Sequence, residues 1–350
     1  MIVTDADAVS LLASVLRTPS LCGQEDAVSG VLLDAMARTG FAAHRDEAGN
    51  VVGAIGPEGG PDVVILGHMD TVPGFIEVEE RDGSLYGRGS VDAKGPLVAG
   101  LVAAARASGR AGVRATVIGA VQEEGPSVGA RHLTARPAPD YLIIAEPSGW
   151  DSVVLGYKGS QRFTVTVVQP SGHTAGPLAS APERAVRFWN DLVAWCAAET
   201  PDAPDEFSRL TPTLIRMGSS DDGLQDCASL HIGLRLPPGL AVEEVREGVR
   251  SLFPGAHFDF APGEVAVRGD KNNPLVAAFL RAIRAESARP RFKVKTGTAD
   301  MNVVGPVWRC PMVAYGPGDS KLDHTPQEHV VIEEYLAAIR VLTSVLECLT

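Results

Sequence analysis

The stretch VVILGHMDTVPG (residues 63–74) decides how this 350-residue chain is to be read. It opens on a short apolar run rich in β-branched residues, the composition of a buried strand. The run stops at His68, with Asp70 two residues further on. The same pattern returns twice: ATVIGAV (residues 115–121) leads into Glu123 and Glu124, and YLIIA (residues 141–145) into Glu146. Around these runs, residues 6–16 and 25–38 carry apolar side chains at helical spacing, and residues 96–107, rich in Ala, Leu and Val, read as a buried crossover helix. Strands alternating with helices predict an α/β domain of three layers built on a mostly parallel sheet. Open sheets of this kind place their sites just beyond the carboxyl ends of strands, where these charged residues fall.

From about Gly159 the character changes. QRFTVTVV (residues 161–168) alternates polar and apolar residues, as a half-exposed antiparallel strand does. A helix follows at residues 182–198, strands near 213–217 and 230–236, a helix at 242–253 and strand candidates up to Val267. This β-α-β-β-α-β order predicts a smaller α+β domain of the ferredoxin-like kind. The expected division is residues 1–158 and 271–350 for the larger domain and 159–270 for the insert. Helices at residues 274–287 and 331–346 complete the larger one.

A chain that is 45% hydrophobic can bury a large core, and a formal charge of −12 argues against nucleic acid and anionic membranes as partners. No run of eighteen apolar residues occurs, and the first residues lack the pattern of an export signal, so a cytoplasmic protein is expected. The five cysteines are scattered and never form a C-x-x-C pair, which suggests neither a disulfide framework nor thiolate zinc. One basic concentration stands out in RAIRAESARPRFKVK (residues 281–295), with Arg281, Arg284, Arg289, Arg291, Lys293 and Lys295. It reads either as a solvated helix face and edge strand or as a surface that an acidic protein could use.

Beyond His68, Glu124 and Glu146, two more donors are candidates: Asp92 in the glycine-rich GRGSVDAKGP (residues 87–96) and His324 in GPGDSKLDHTP (residues 316–326). Imidazole and carboxylate donors suit zinc, with cobalt or manganese also possible. Five ligands are too many for one tetrahedral ion. Two ions about 3.5 Å apart, sharing one carboxylate, would each have three protein ligands and an open position. Asp92 would bridge, His68 and Glu146 would complete one ion, and Glu124 and His324 the other. Glu123 would be the general base of an amide hydrolysis, and Asp70 would accept the second imidazole N–H of His68. Singly, each residue has an ordinary explanation: a core histidine, a solvated turn, a helix cap or a surface loop. Together, acids and histidines closing successive buried strands are costly unless a cation compensates.

The segments GHMDTVPG (residues 67–74), GRGSVDAKGP (87–96), QEEGPSVGAR (122–131) and SGHTAGP (171–177) resemble the aminoacylase, carboxypeptidase G and succinyl-diaminopimelate desuccinylase family of co-catalytic zinc hydrolases. The resemblance implies the ligand roles above, an inserted lid that also forms a homodimer interface, and an oxyanion-stabilising role for His173. Within that family, EPSGWDSVVLGYKGS (146–160), KTGTADMN (295–302) and AYGPGDSKLDHTPQEHV (314–330) are similar to hydrolases that release lysine or ornithine from an amino-group carrier protein, LysW. This implies an acidic carrier protein as partner and substrate, for which the basic run is a candidate dock. Arg235, Thr296, Gly297 and Thr298 could hold a product carboxylate, although the latter three could equally form a plain turn. A deacylase of N-acetyl- or N-succinyl-diamino acids would use the same site, and a non-catalytic metal-binding relative is the reading from another class. Two positions depart from the family pattern. Ala93 follows Asp92 where many relatives carry a bulkier residue, next to a peptide that could be cis, and Gly233 stands where relatives often have Asp.

Overall fold

The computed structural model describes residues 3–349. They divide into two compact units, the first comprising residues up to Gly156, then Gly269–Val294, then from Ala299 onward. The second comprises Tyr157–Arg268 together with Lys295–Thr298, a short segment that the sequence pattern alone assigns to the larger domain.

The large sheet of the first unit runs in the order Ala42–Arg45, Val51–Ile55, Arg114–Ala120, Asp62–His68, Tyr141–Ile144, Met312–Ala314 and Ser152–Tyr157. Asp62–His68 is parallel to both neighbours, and Met312–Ala314 is parallel to Tyr141–Ile144. The hairpin of Ala42–Arg45 and Val51–Ile55 adds antiparallel at one side. Val63 and Ile65 join the main core, while Val64 and Leu66 on the opposite face are buried as well. Burial on both faces is why this strand reads as an unbroken apolar run.

The helix Lys94–Ala107 is almost wholly buried and lies against Ile65 at Gly100, where an added Cβ would sit 2.7 Å from the Ile65 side chain. Helices Asp5–Leu16 and Ile332–Cys348 share its core. Its first turn is tighter still. A Cβ at Gly95 would lie 2.1 Å from the carbonyl oxygen of Ser90, in the loop that carries Asp92. Backbone cannot yield there as a flexible side chain would, so Gly95→Ala is expected to lower stability by about 1–3 kcal/mol. Denaturant unfolding reads the effect as a lower midpoint at constant slope, and an unmoved midpoint would mean that the loop gives way freely.

The sheet of the second unit is antiparallel, ordered Thr211–Asp221, Gln225–Leu236, Gly159–Pro170, His257–Phe260. Helices Ala181–Glu199 and Val242–Leu252 cover one face, onto which Phe163, Val165, Val167, Leu230, Ile232 and Leu234 point. One covered face produces the period-two alternation in the sequence. The architecture is the one the pattern predicts, a mostly parallel α/β layer with a ferredoxin-like α+β insert. No helix among the described residues is long and apolar enough to cross a membrane.

Candidate metal centre

Parallel pairing sets His68 opposite Ala120 and Leu66 opposite Ile144, so three strands end side by side. The chain beyond Arg114–Ala120 turns at Gln122, φ 61°, and presents Glu123 and Glu124. Asp70 fixes that turn: its two carboxylate oxygens accept the backbone N–H groups of Glu123 at 3.1 Å and Glu124 at 3.0 Å. Glu25, also buried, accepts the N–H of Gln122 at 3.1 Å. The His68 Nδ1 lies 2.9 Å from the backbone carbonyl of Asp70 and 3.4 Å from its carboxylate. The carbonyl, rather than the carboxylate expected from sequence, is therefore the nearer acceptor. In the neutral ring, Nδ1 donating there leaves the Nε2 lone pair facing Asp92.

Asp92 stands between two histidines. Its Oδ1 is 3.2 Å from His68 Nε2, and its Oδ2 is 2.9 Å from His324 Nε2. The peptide that joins it to Ala93 is cis. Around this carboxylate the other groups fall into two sets: Glu146 is 3.7 Å from His68 Nε2, and Glu124 is 2.9 Å from His324 Nε2. Glu123 approaches His68 Nε2 at 4.0 Å. Donor atoms of His68, Asp92 and Glu124 all lie within 4.8 Å of one another. His68 is buried, whereas the His324 side chain is 50% exposed on a loop where its φ is 61°.

So many acids around two imidazoles set the local electrostatics. Burial opposes charge on His68, yet the hydrogen bonds it donates to Asp70 and Asp92 hold its pKa well above the usual value. Hydrogen bonding to Asp92 pushes His324 up to about 9. Asp92 is held low against its own burial by the same two histidines. Burial raises Glu123 well above the carboxylate range, with Asp300, Glu146 and Asp92 adding like-charge repulsion. Burial raises Glu124 too. Protonated histidines offset part of the negative charge that these carboxylates bring together.

Residues 64–347 match the family model described as Peptidase family M20/M25/M40. The chain belongs to this family. A LysW-lysine hydrolase of Deinococcus radiodurans is 46% identical over 352 residues, covering 98% of this chain and 97% of that protein. A relative in Thermococcus kodakarensis, provisionally named a LysW-lysine/LysW-ornithine hydrolase, is 38% identical over 348 residues, with 99% and 93% covered. Among solved structures, the M20 family metallo-carboxypeptidase Sso-CP2 from Sulfolobus solfataricus shares the fold, with a TM-score of 0.80 at 18% identity over 98% of this chain and 99% of that one. As a member of this family the chain is a hydrolase of the metallopeptidase kind, which sets aside the non-catalytic reading.

The remaining candidates of this M20 peptidase lie in its second unit. Arg235 donates to the Thr298 hydroxyl at 3.3 Å, and burial lowers its pKa with Arg162 nearby. Thr296 and Gly297 occupy the same short segment. His173 is exposed, and its Nδ1 accepts the N–H of Ala175 at 3.1 Å, which leaves Nε2 as the donor of the neutral ring. Sequence reasoning missed Asp300, buried and close enough to Glu123 to raise its pKa, and Glu328, buried under the Asp92 loop's N–H groups. Asp300 follows no apolar strand, and only the nearness of Glu328 to His324 could have drawn attention to it.

Proposed function

We propose that this chain hydrolyses the amide linking lysine, or ornithine, to the terminal glutamate of the amino-group carrier protein LysW, using two divalent cations. The observation that carries the chemistry is Asp92, whose two oxygens each face a different histidine. The substrate rests on the 46% identical LysW-lysine hydrolase, which aligns over nearly the whole of both chains. His68, Glu146 and one oxygen of Asp92 would hold one cation, and His324, Glu124 and the other oxygen the second. The donors, imidazole and carboxylate without thiolate, fit zinc first and cobalt next.

When bound, the cations supply Lewis-acid polarisation of the amide carbonyl and acidify the attacking water. Glu123 takes the proton from that water and delivers it to the leaving amine. Nearby cations would lower its raised pKa and favour the ionised form that accepts the proton. Asp70 keeps Glu123 and Glu124 in place through their backbone. His173, with its free Nε2–H, is a donor for the developing oxyanion. Arg235, with Thr296, Gly297 and Thr298, would take the product carboxylate.

Two further elements belong to this reading. The strand Thr211–Asp221 is an edge of its sheet and exposes Ile215 and Met217, which fits a homodimer formed along that edge. For the acidic carrier, Arg281, Arg284 and Arg289 are exposed, whereas Arg291 already pairs with Asp151 and Lys293 donates to the Ser148 carbonyl. Charge reversal at Arg284 and Arg289 is expected to raise KM for carrier-linked substrate several-fold at low salt and to spare a small acylated amino acid. Equal effects on both substrates would remove the dock.

The reaction itself is tested by incubating the enzyme with carrier-linked lysine and ornithine, and with N-acetyl- and N-succinyl-diamino acids, with and without chelator. Mass analysis should find free lysine or ornithine from the carrier, lost on chelation. Turnover confined to the small acylated substrates would replace this reading with the deacylase one.

Metal uptake should also be linked to pH. Both histidines favour the protonated form at pH 7 in the metal-free protein, and coordination requires them neutral, so at least two protons should leave as the cation pair binds, more if Glu123 ionises with them. The sign follows from the raised pKa values: apparent affinity climbs with pH and flattens as His324 passes about 9. Calorimetry in buffers of different protonation enthalpy counts the protons. Binding without proton release would contradict imidazole coordination.

A further inference from the structure

Three backbone N–H groups converge on one side-chain oxygen next to the metal centre. Gly89, Val91 and Asp92 donate to Oε1 of Glu328 at 3.0, 2.9 and 3.1 Å. Its Oε2 receives Arg88 at 2.6 Å, and its backbone carbonyl accepts the N–H of Gly87 at 3.3 Å. The Glu328 side chain is fully buried. Convergent N–H groups on a curled loop form a concavity for an anion, and Gly89, φ 88°, allows the curl. Here the anion comes from the far end of the chain.

Glu328 follows His324 by four residues, while the loop it clamps ends on Asp92. One carboxylate therefore ties the segment of His324 to the backbone that aims Asp92. The two ends of the centre differ in how they are held. His68 closes a central strand and is braced by Asp70, but His324 sits half-exposed on a loop. The His324 end depends on whatever fixes that loop against Asp92.

We infer that Glu328 is a positioning residue for the second cation: by holding the Asp92 loop to the His324 segment, it keeps Oδ2 of Asp92 and Nε2 of His324 directed at a common point. The inference rests on the two-cation reading. A carboxylate that served only as a fold brace would change stability and leave metal affinities alone.

The test titrates metal-free natural chain, Glu328→Gln and Arg88→Met with cobalt, following heat and the visible absorption of the bound ion. In Glu328→Gln the second equivalent should bind about 10–100-fold more weakly, with the first little changed, the range typical of losing a group that orients metal ligands. Arg88→Met keeps the three N–H contacts on Oε1, and should lower the thermal midpoint while retaining both affinities. Natural affinity for both equivalents in Glu328→Gln, or weakening of both alike, would overturn the assignment, as would an equal loss in Arg88→Met. If Glu328→Gln does not fold, Glu328→Asp, which keeps the charge but shortens the reach, is read the same way. The natural chain's own stoichiometry judges the two-cation reading separately.

Discussion

Glu123→Gln is expected to lower kcat by about 10²–10⁴-fold while the protein still binds two cations. Glutamine preserves the shape of the side chain but cannot take a proton, so only the transfer step is lost. Glu123 lies at the outer limit of contact with His68, 4.0 Å away, and its backbone is fixed by Asp70. The substitution should therefore leave the fold and the other donors in place. Metal content per chain and kcat, measured on one preparation, separate the outcomes. Full activity would remove Glu123 from the reaction, and loss of a cation would make it a ligand instead.

Asp92→Asn should be the more damaging change. The amide keeps the size of the carboxylate but has one oxygen and no charge, so it cannot face both His68 and His324 as an acceptor. We expect metal content to fall from two cations to one or fewer, and activity to drop by at least about 10³-fold, since Lewis-acid stabilisation supplies several kcal/mol and each 1.36 kcal/mol is tenfold. Elemental analysis after gel filtration gives the count directly. Retention of two tightly held cations would mean that Asp92 is not shared.

Much of the fold was legible because burial leaves a simple mark on sequence. Strands covered on both faces, such as Asp62–His68, read as apolar runs, and the one-sided strand Gly159–Pro170 reads as alternation. Elements without that mark were missed. Ala42–Arg45 has four largely exposed residues, and the small sheet of Glu80–Arg81, Ser84–Tyr86 and His329–Val331 consists of strands of two or three residues. The helix Asp300–Trp308 contains Pro306, which local preference reads as a break; tertiary packing overrides it. In the site, His68, Glu123, Glu124 and Glu146 announce themselves by following strands. Asp92 and His324 lie in loops and became candidates through their motifs. The contacts of Glu328 span more than 230 residues and have no local signature at all.

The strand Met312–Ala314 lies inside the large sheet, between Tyr141–Ile144 and Ser152–Tyr157, although it follows both by more than 150 residues. During synthesis the two older strands must therefore wait with a vacant slot between them, their edges unpaired, while the whole second unit emerges. His324 follows ten residues after that slot is filled. Completion of the large sheet is consequently a late event: its final strand and His324 leave the ribosome almost together, so a chain interrupted before them would be sticky at two strand edges and lack that histidine.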